Sequence, residues 1–276
     1  MSKMDTSFSG SIPEVYDDYL VPLIFEQYAE DLAQRTAVIQ PNDLLEVAAG
    51  SGVVTRAVAP ILGANVHYTV TDLNAPMLDR ARARQPDDAR IDWRPADALD
   101  LPFADESFDL VLCQFGVMFF LDRVRAYREA QRVIRPGGSF LFNMWDRIEN
   151  NEFADVVTEA LAQVFPVDPP EFLPRTPHGH HDPIVYRQEL IEAGFAEIGV
   201  DSVDAISRAD RPDAPAIAYC QGTPLRNEIE ERDGPGLEAS TAIATEAIRR
   251  RFGDCPVEGK IQGFVIQASK GVRSIL

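Results

Sequence analysis

The stretch "LLEVAAGSGVVTRAVA", Leu44 to Ala59, decides how the rest of the chain is read. An apolar run ends in Glu46, passes through a small-residue loop with Gly50 and Gly52, and continues as a helical pattern. A strand buried on both faces reads as a near-continuous apolar run. Small residues in the turn after it let a ligand approach the backbone closely, and the helix N-terminus that follows favours anionic groups. The stretch therefore predicts a strand, a nucleotide-type loop and a helix. One part of a dinucleotide fingerprint is missing. Thr55 stands at the place of the last glycine, where it hinders close packing of a pyrophosphate.

Beyond this stretch, strand-like and helical runs alternate. "DLLEVA" (43–48), "VHYTVT" (66–71), "RIDWRP" (90–95), "FDLVLCQ" (108–114) and "SFLFNMW" (139–145) read as strands. "VTRAVAPIL", "APMLDRARAR" and "DRVRAYREAQRVI" (122–134) read as the helices between them, the last with Asp122 as N-cap and Val124, Tyr127, Ala130 and Ile134 on one face. "RPGG" is expected to stop that helix ahead of the fifth strand. Such alternation predicts a parallel sheet with helices on both faces. Farther on, 151–165 reads as a helix, 166–183 as a Pro-rich loop, "IVYRQELIEAGF" as a helix ended by Gly194, and 196–206 as a strand. A helical stretch over roughly 214–252 precedes a last strand at 260–269. The organisation expected is a helical arm over 1–42, then a domain over 43–276 carrying a helical cap insertion at about 208–258.

Composition narrows the function classes. The chain has 276 residues with 26 basic and 44 acidic side chains, a net charge of −18. That surface repels phosphate backbones and anionic membranes, so neither nucleic acid nor membrane is an expected partner. Cys113, Cys220 and Cys255 show no CxxC spacing, which fits a reducing compartment rather than a zinc or disulfide framework. "YLVPLIF" is short and broken by Pro22, so no signal peptide or membrane span is read, and a cytoplasmic protein is expected.

Two carboxylates carry the cofactor argument. Asp72 ends the second strand, 20 residues after Gly52. There it suits the ribose hydroxyls of a nicotinamide dinucleotide or of an adenosyl ligand alike, and it also suits a helix cap in "TDLNAPM". Asp97, in the loop after the third strand, is placed to accept from an exocyclic amine such as adenine N6. With "LLEVAAGSG", "TDLNAPML", "PADALDLPFADESFDLVLCQFGVMFF" and "RVIRPGG" in this order, the run from Asp43 to Trp145 resembles class I S-adenosylmethionine-dependent methyltransferases of the small-molecule type with a helical cap. The resemblance implies a Rossmann-like α/β fold with seven mostly parallel strands, the last antiparallel. It implies transfer of a methyl group from S-adenosylmethionine to a small O, N or C nucleophile by in-line displacement, with S-adenosylhomocysteine as product. By the same resemblance Ala48, Gly50 and Gly52 line the methionine and ribose part, and Glu46 sits near the amino end or orients the loop. Asp72 holds the ribose, Leu73 packs on adenine, Asp97 and Ala98 meet the adenine edge, and Gln114 presents its carbonyl to the methionine amine. Ala48 departs from the family's usual glycine, and alanine there is expected to keep a negative φ.

The resemblance fixes no catalytic residue. Tyr16 and Tyr19 in the arm, and His178, His180 and His181 in "PHGHHDP", are the side chains with usable chemistry; Tyr16, His178 and His181 are the weak catalytic candidates. No metal site is expected, since the histidines lack cysteine or acidic partners at ligand spacing apart from Asp182. Phe115, Met118, Phe119 and Phe120 read either as core or as an apolar substrate wall. Two other functions fit the loop: a nicotinamide-dependent oxidoreductase, against which Thr55 argues, and an S-adenosylmethionine-binding protein without transfer activity.

Overall fold

A computed structural model of the chain describes residues 10–272. Seven strands form one sheet: β1 (Asp43–Glu46), β2 (His67–Asp72), β3 (Ile91–Pro95), β4 (Phe108–Cys113), β5 (Ile134–Trp145), β6 (Glu197–Ala209) and β7 (Val257–Ser269), in the order β3-β2-β1-β4-β5-β7-β6. The pairs β1–β2, β1–β4, β2–β3 and β4–β5 are parallel. Gly137 N–H donates to Lys270 O and Asp146 N–H to Gln262 O, so numbering falls along β7 as it rises along β5. The closing strand is therefore antiparallel, as expected, in an otherwise parallel core.

By contacts the described chain falls into two units. The first takes Gln27–Met144, Asp182–Ser202 and residues from Phe264 on; the second takes residues up to Glu26, Trp145–His181 and Val203–Gly263. Residues 1–9 of the expected arm lie outside the described residues.

In the first unit, helix Arg123–Val133 opens at Asp122, whose side chain accepts from Arg125 N–H at 2.9 Å. Its buried face is Ala126, Tyr127, Ala130 and Val133; Val124 is only half-buried, and Ile134 already belongs to β5. The face packs on Phe140, Phe142 and Met144 of β5. Tyr127 stacks on Phe142 at 5.8 Å, and Phe142 meets Tyr186 of helix Pro183–Glu192 at 6.1 Å. Arg123 and Glu189 join the two helices by paired hydrogen bonds of 2.9 and 2.5 Å.

"RPGG" corrects the sequence reading. The helix ends at Val133 without it, and the four residues lie inside β5. Pairing jumps from Phe108↔Ile134 to Leu110↔Ser139, so they form a bulge. Gly137 supplies φ +86, and a Cβ on Gly138 would lie 2.5 Å from Asp109 O. Proline, which offers no N–H to a ladder, is tolerated at such a bulge.

The second unit is mostly helical: Glu152–Val164, Asp213–Gln221, Leu225–Glu231 and Gly236–Phe252, with Ile12–Val15 and a wide helical segment Tyr16–Phe25. The stretch read as continuous over 214–252 is interrupted ahead of Pro224 and Pro235, which lead into the next helices. The Pro-rich loop is pinned by buried Glu228, which accepts from Glu171 N–H, Phe172 N–H and Arg175 at 2.8, 3.1 and 2.6 Å.

Phe142→Ala removes the ring on which Tyr127, Phe140 and Tyr186 converge. We expect a loss of about 3–5 kcal/mol, the usual range for a fully buried aromatic, read as a lower urea midpoint.

Candidate functional site

Across the sheet the chain moves outward through β2 and β3, then returns to the other side of β1 with β4. Open sheets bind ligands beyond the strands' carboxyl ends at this reversal. The loops after β1 and β4 flank it and pack tightly. A Cβ on Gly116 would lie 2.6 Å from Ala48 Cβ and 2.7 Å from Cys113 Sγ. Ala48 itself has φ +52, which overturns the expectation of a negative angle. The reversal from β1 into the loop requires the left-handed region there, and alanine is held in it by its neighbours. Phe115, with φ +49, is strained in the same way in the facing loop and packs edge-on against Tyr28 at 5.0 Å.

Asp72 locks the glycine loop. Its Oδ2 accepts from Gly50 N–H at 2.8 Å and its Oδ1 from Asn74 N–H at 2.7 Å. It does not cap the following helix; Asn74 does, accepting from Met77 N–H. Burial pushes the Asp72 carboxyl pKa up, against the two backbone donors. Each oxygen keeps a second lone pair. Gly52 has φ +80, and a Cβ on it would lie 2.8 Å from Ala81 Cβ. Arg56 clamps the loop by donating to Ser51 O at 2.6 Å.

These residues fit an adenosyl ligand on two observations. Ser51 Oγ is buried with no hydrogen-bond partner among the described residues, the kind of group a bound polar ligand satisfies. Leu73, next to Asp72, is 71% exposed, an apolar side chain standing clear at the end of β2.

Glu46 lies beneath the loop, 1% exposed. Its Oε2 accepts from Thr55 Oγ1 at 2.7 Å and from the Tyr68 hydroxyl. Burial pushes its pKa up to about 7, against the two hydroxyls. Thr55 is thus the donor that holds a buried carboxylate. A glycine there would leave that oxygen a partner short. The sequence marked Thr55 only as a missing glycine, and it did not single out Tyr68, since strand register brings that hydroxyl to Glu46.

The remaining predicted residues lie in the loops after β3 and β4. Ala96 N–H donates to Asp72 O at 3.2 Å, tying the loop after β3 to the end of β2. Asp97 and Ala98 in that loop are half-buried, and Asp97 Oδ1 accepts from Leu99 N–H at 2.9 Å. Gln114 follows β4 directly and is half-buried. Phe115 and Met118 are buried, and Phe119 and Phe120 half-buried.

Tyr16, His178 and His181 belong to the second unit, where the fold joins them. Tyr16 meets Phe25 at 5.3 Å, Phe25 meets Trp145 at 6.0 Å, and Trp145 meets His178 at 6.1 Å. His178 Nδ1 contacts Asp146 O at 2.8 Å, and His181 Nδ1 contacts His178 O at 3.0 Å. Burial pushes the His178 pKa down to about 4. Among the described residues no three His, Cys, Asp or Glu side chains gather as a metal set.

Residues 45–142 match the family described as "Methyltransferase domain". A ubiquinone/menaquinone biosynthesis C-methyltransferase, UbiE, of Hahella chejuensis is 38% identical over 110 residues, 39% of this chain and 44% of its own. The chain thus spans less than half the length of that relative. Among solved structures, the YcgJ protein of Bacillus subtilis has a TM-score of 0.55 at 18% identity, covering 89% of this chain and 99% of its own. A Haemonchus contortus phosphoethanolamine N-methyltransferase, solved with S-adenosyl-L-methionine, has a TM-score of 0.50 at 17% identity, covering 83% and 49%. Residues 45–142 are thus similar to a methyltransferase domain, and the fold around them is shared with those solved structures.

Two outcomes follow from this geometry. The unfolded chain releases the Glu46 proton near pH 4.3, whereas the folded protein keeps it to about 7. This group's contribution to stability is therefore greatest below the lower value, falls as pH rises between the two, and levels off above the upper one. Glu46→Gln, which does not titrate, removes roughly 3 kcal/mol of that fall, read by comparing urea unfolding of the two proteins at pH 5 and pH 8. In addition, Gly116→Ala costs about 1–3 kcal/mol by overpacking. Ala48→Gly recovers part of that loss in the double variant, so the mutant cycle shows a coupling of about 0.5 kcal/mol or more.

Proposed function

We propose that this protein transfers a methyl group from S-adenosylmethionine to a small organic acceptor. The observation that carries the reading is the lock at the sheet's reversal point, where Asp72 binds Gly50 N–H beside the exposed Leu73. When bound, S-adenosylmethionine supplies a methyl group already activated on a cationic sulfonium. The chain's own work is then to bind, align and exclude water, effects that contribute about 7–11 kcal/mol in well-oriented reactions. In this reading Asp72 uses its free lone pairs for the ribose hydroxyls and Leu73 lies against the adenine. Asp97 and Ala98 meet the adenine edge, and Ala48, Gly50, Gly52 and Gln114 line the methionine part. Glu46 acts from below, fixing the helix after the loop through Thr55.

For the acceptor we propose a quinone-type ring as the first class to try, supported by what the Hahella relative is named for. A nucleic-acid acceptor is disfavoured by the net charge of −18. We place the protein in the cytoplasm, on its three unpaired cysteines. Among the described residues no helix is long and apolar enough to cross a membrane.

S-adenosylhomocysteine at about a hundred times its Kd stabilises the native state by about 2.7 kcal/mol, visible as a raised melting temperature. NADH gives no such shift. Stabilisation by NADH and not by S-adenosylhomocysteine would reverse the assignment. Asp72→Ala weakens S-adenosylhomocysteine at least about tenfold. It also costs about 1–3 kcal/mol of stability by orphaning two backbone donors, so affinity is measured by calorimetry on the folded variant.

A further inference from the structure

We infer that the carboxamide of Asn143 binds the amino-acid end of S-adenosylmethionine, carrying the cofactor seat from the ends of β1 and β4 on to β5. The inference rests on the cofactor reading above and adds a binding residue to that site.

Asn143 lies in β5 with 0% exposure, and neither its Nδ2 nor its Oδ1 has a hydrogen-bond partner among the described residues. A carboxamide offers two donors and an acceptor with two lone pairs, so the whole polar group is stranded. Native structures retain few such groups, because burial forfeits the hydrogen bonds that water supplies. Packing alone does not call for an amide there. Leu141, two residues earlier and so on the same face of the strand, is equally buried and apolar.

Strand register places the group. Glu46 pairs with Leu112, and Leu112 and Cys113 pair with Leu141 and Phe142, all in parallel. Carried two residues on from the first pair, these registers set Ala48, Gln114 and Asn143 in one row across β1, β4 and β5. All three belong to the same unit. Neighbouring strands lie about 4.8 Å apart, so Asn143 stands one strand spacing from Gln114 and two from Ala48. The row is at the carboxyl ends of the strands, where open sheets bind their ligands. Ala48 and Gln114 are the residues that line the methionine part in the proposed function, and Asn143 is the next position outward. Ser51 Oγ, on the glycine loop, is also buried without a partner among the described residues.

The chemistry of the stranded group selects what it meets. The methionine part ends in an ammonium and a carboxylate on one carbon. Asn143 Oδ1 accepts from the first and Nδ2 donates to the second, so one neutral carboxamide matches both charges. A carboxylate side chain in its place would repel the ligand carboxylate, and an apolar one would leave both charges short of a partner.

Two thioethers isolate this contact: S-adenosylhomocysteine keeps the amino-acid end, and 5′-methylthioadenosine lacks it. Both are titrated into the full chain by calorimetry. Asn143→Val is expected to weaken S-adenosylhomocysteine about tenfold or more, the worth of a hydrogen bond to a charged group. It leaves 5′-methylthioadenosine unchanged, whereas a purely structural role moves both ligands or neither. Without ligand, Asn143→Val unfolds at a higher urea concentration than the wild type, since valine suits a strand and strands no amide. Asn143→Ala gives the same split in affinity and covers the case in which valine packs poorly. Unchanged S-adenosylhomocysteine affinity in the folded variants, or an equal loss of both ligands, would overturn the inference. A lower urea midpoint for both variants would overturn it too, by showing that the amide is already satisfied in the free protein. Absence of binding of either thioether by the wild type is a separate result, which overturns the cofactor reading and this inference with it.

Discussion

The buried carboxylate of Glu46 is the point on which the cofactor side of the fold depends. It ends β1, takes the hydroxyl of Thr55 from the helix beyond the loop, and takes the hydroxyl of Tyr68 from β2. Its own carbonyl accepts from Thr71 Oγ1 at 2.8 Å, so β1 and β2 are tied twice within a few residues. A carboxylate this deep is tolerable only with such partners. The same burial raises its pKa toward neutrality and makes the site sensitive to pH. Two acidic groups with different duties therefore share the ends of adjacent strands. Glu46 fixes the helix from below, and Asp72 fixes the loop from its rim.

Strain is concentrated where the two loops of the reversal point meet. Ala48 and Phe115 both occupy the left-handed region, and the glycine between Phe115 and the next turn leaves space that Ala48 Cβ fills. Tight packing over-determines these angles, which is how strained backbone persists at binding sites. The loop is thereby formed before any ligand arrives. Under the proposed function, an already activated methyl donor would ask for little beyond such a preformed seat and an acceptor held in line.

Much of this was legible in the sequence. The five parallel strands and the cap at Asp122 follow from patterns of period two and 3.6 and from short turn signals, whereas the antiparallel close of the sheet was implied by the family resemblance alone. Asp72 and Gly50 could be singled out together because spacing along one strand–helix–strand unit fixes which carboxylate reaches the loop, and the two are hydrogen-bonded. What was misread has common causes. "RPGG" looked like a stop signal because proline and glycine usually are one, and only pairing with β4 shows that the four residues form a bulge. The helical stretch over 214–252 looked continuous because proline that ends one helix suits the first turn of the next.

By itself the sequence determined the layer order, the glycine loop and the acidic residues at strand ends, because these depend on neighbours close along the chain. Tertiary structure decided the rest. Register set Tyr68 against Glu46, which gave Thr55 its purpose, and the closeness of Gly116 held Ala48 at a positive φ. Folding also brought His178, 32 residues beyond Asp146, onto that residue's carbonyl and so chose its tautomer. Such pairings join residues far apart in the chain, and no local pattern encodes which of many donors and acceptors meet once the core has closed.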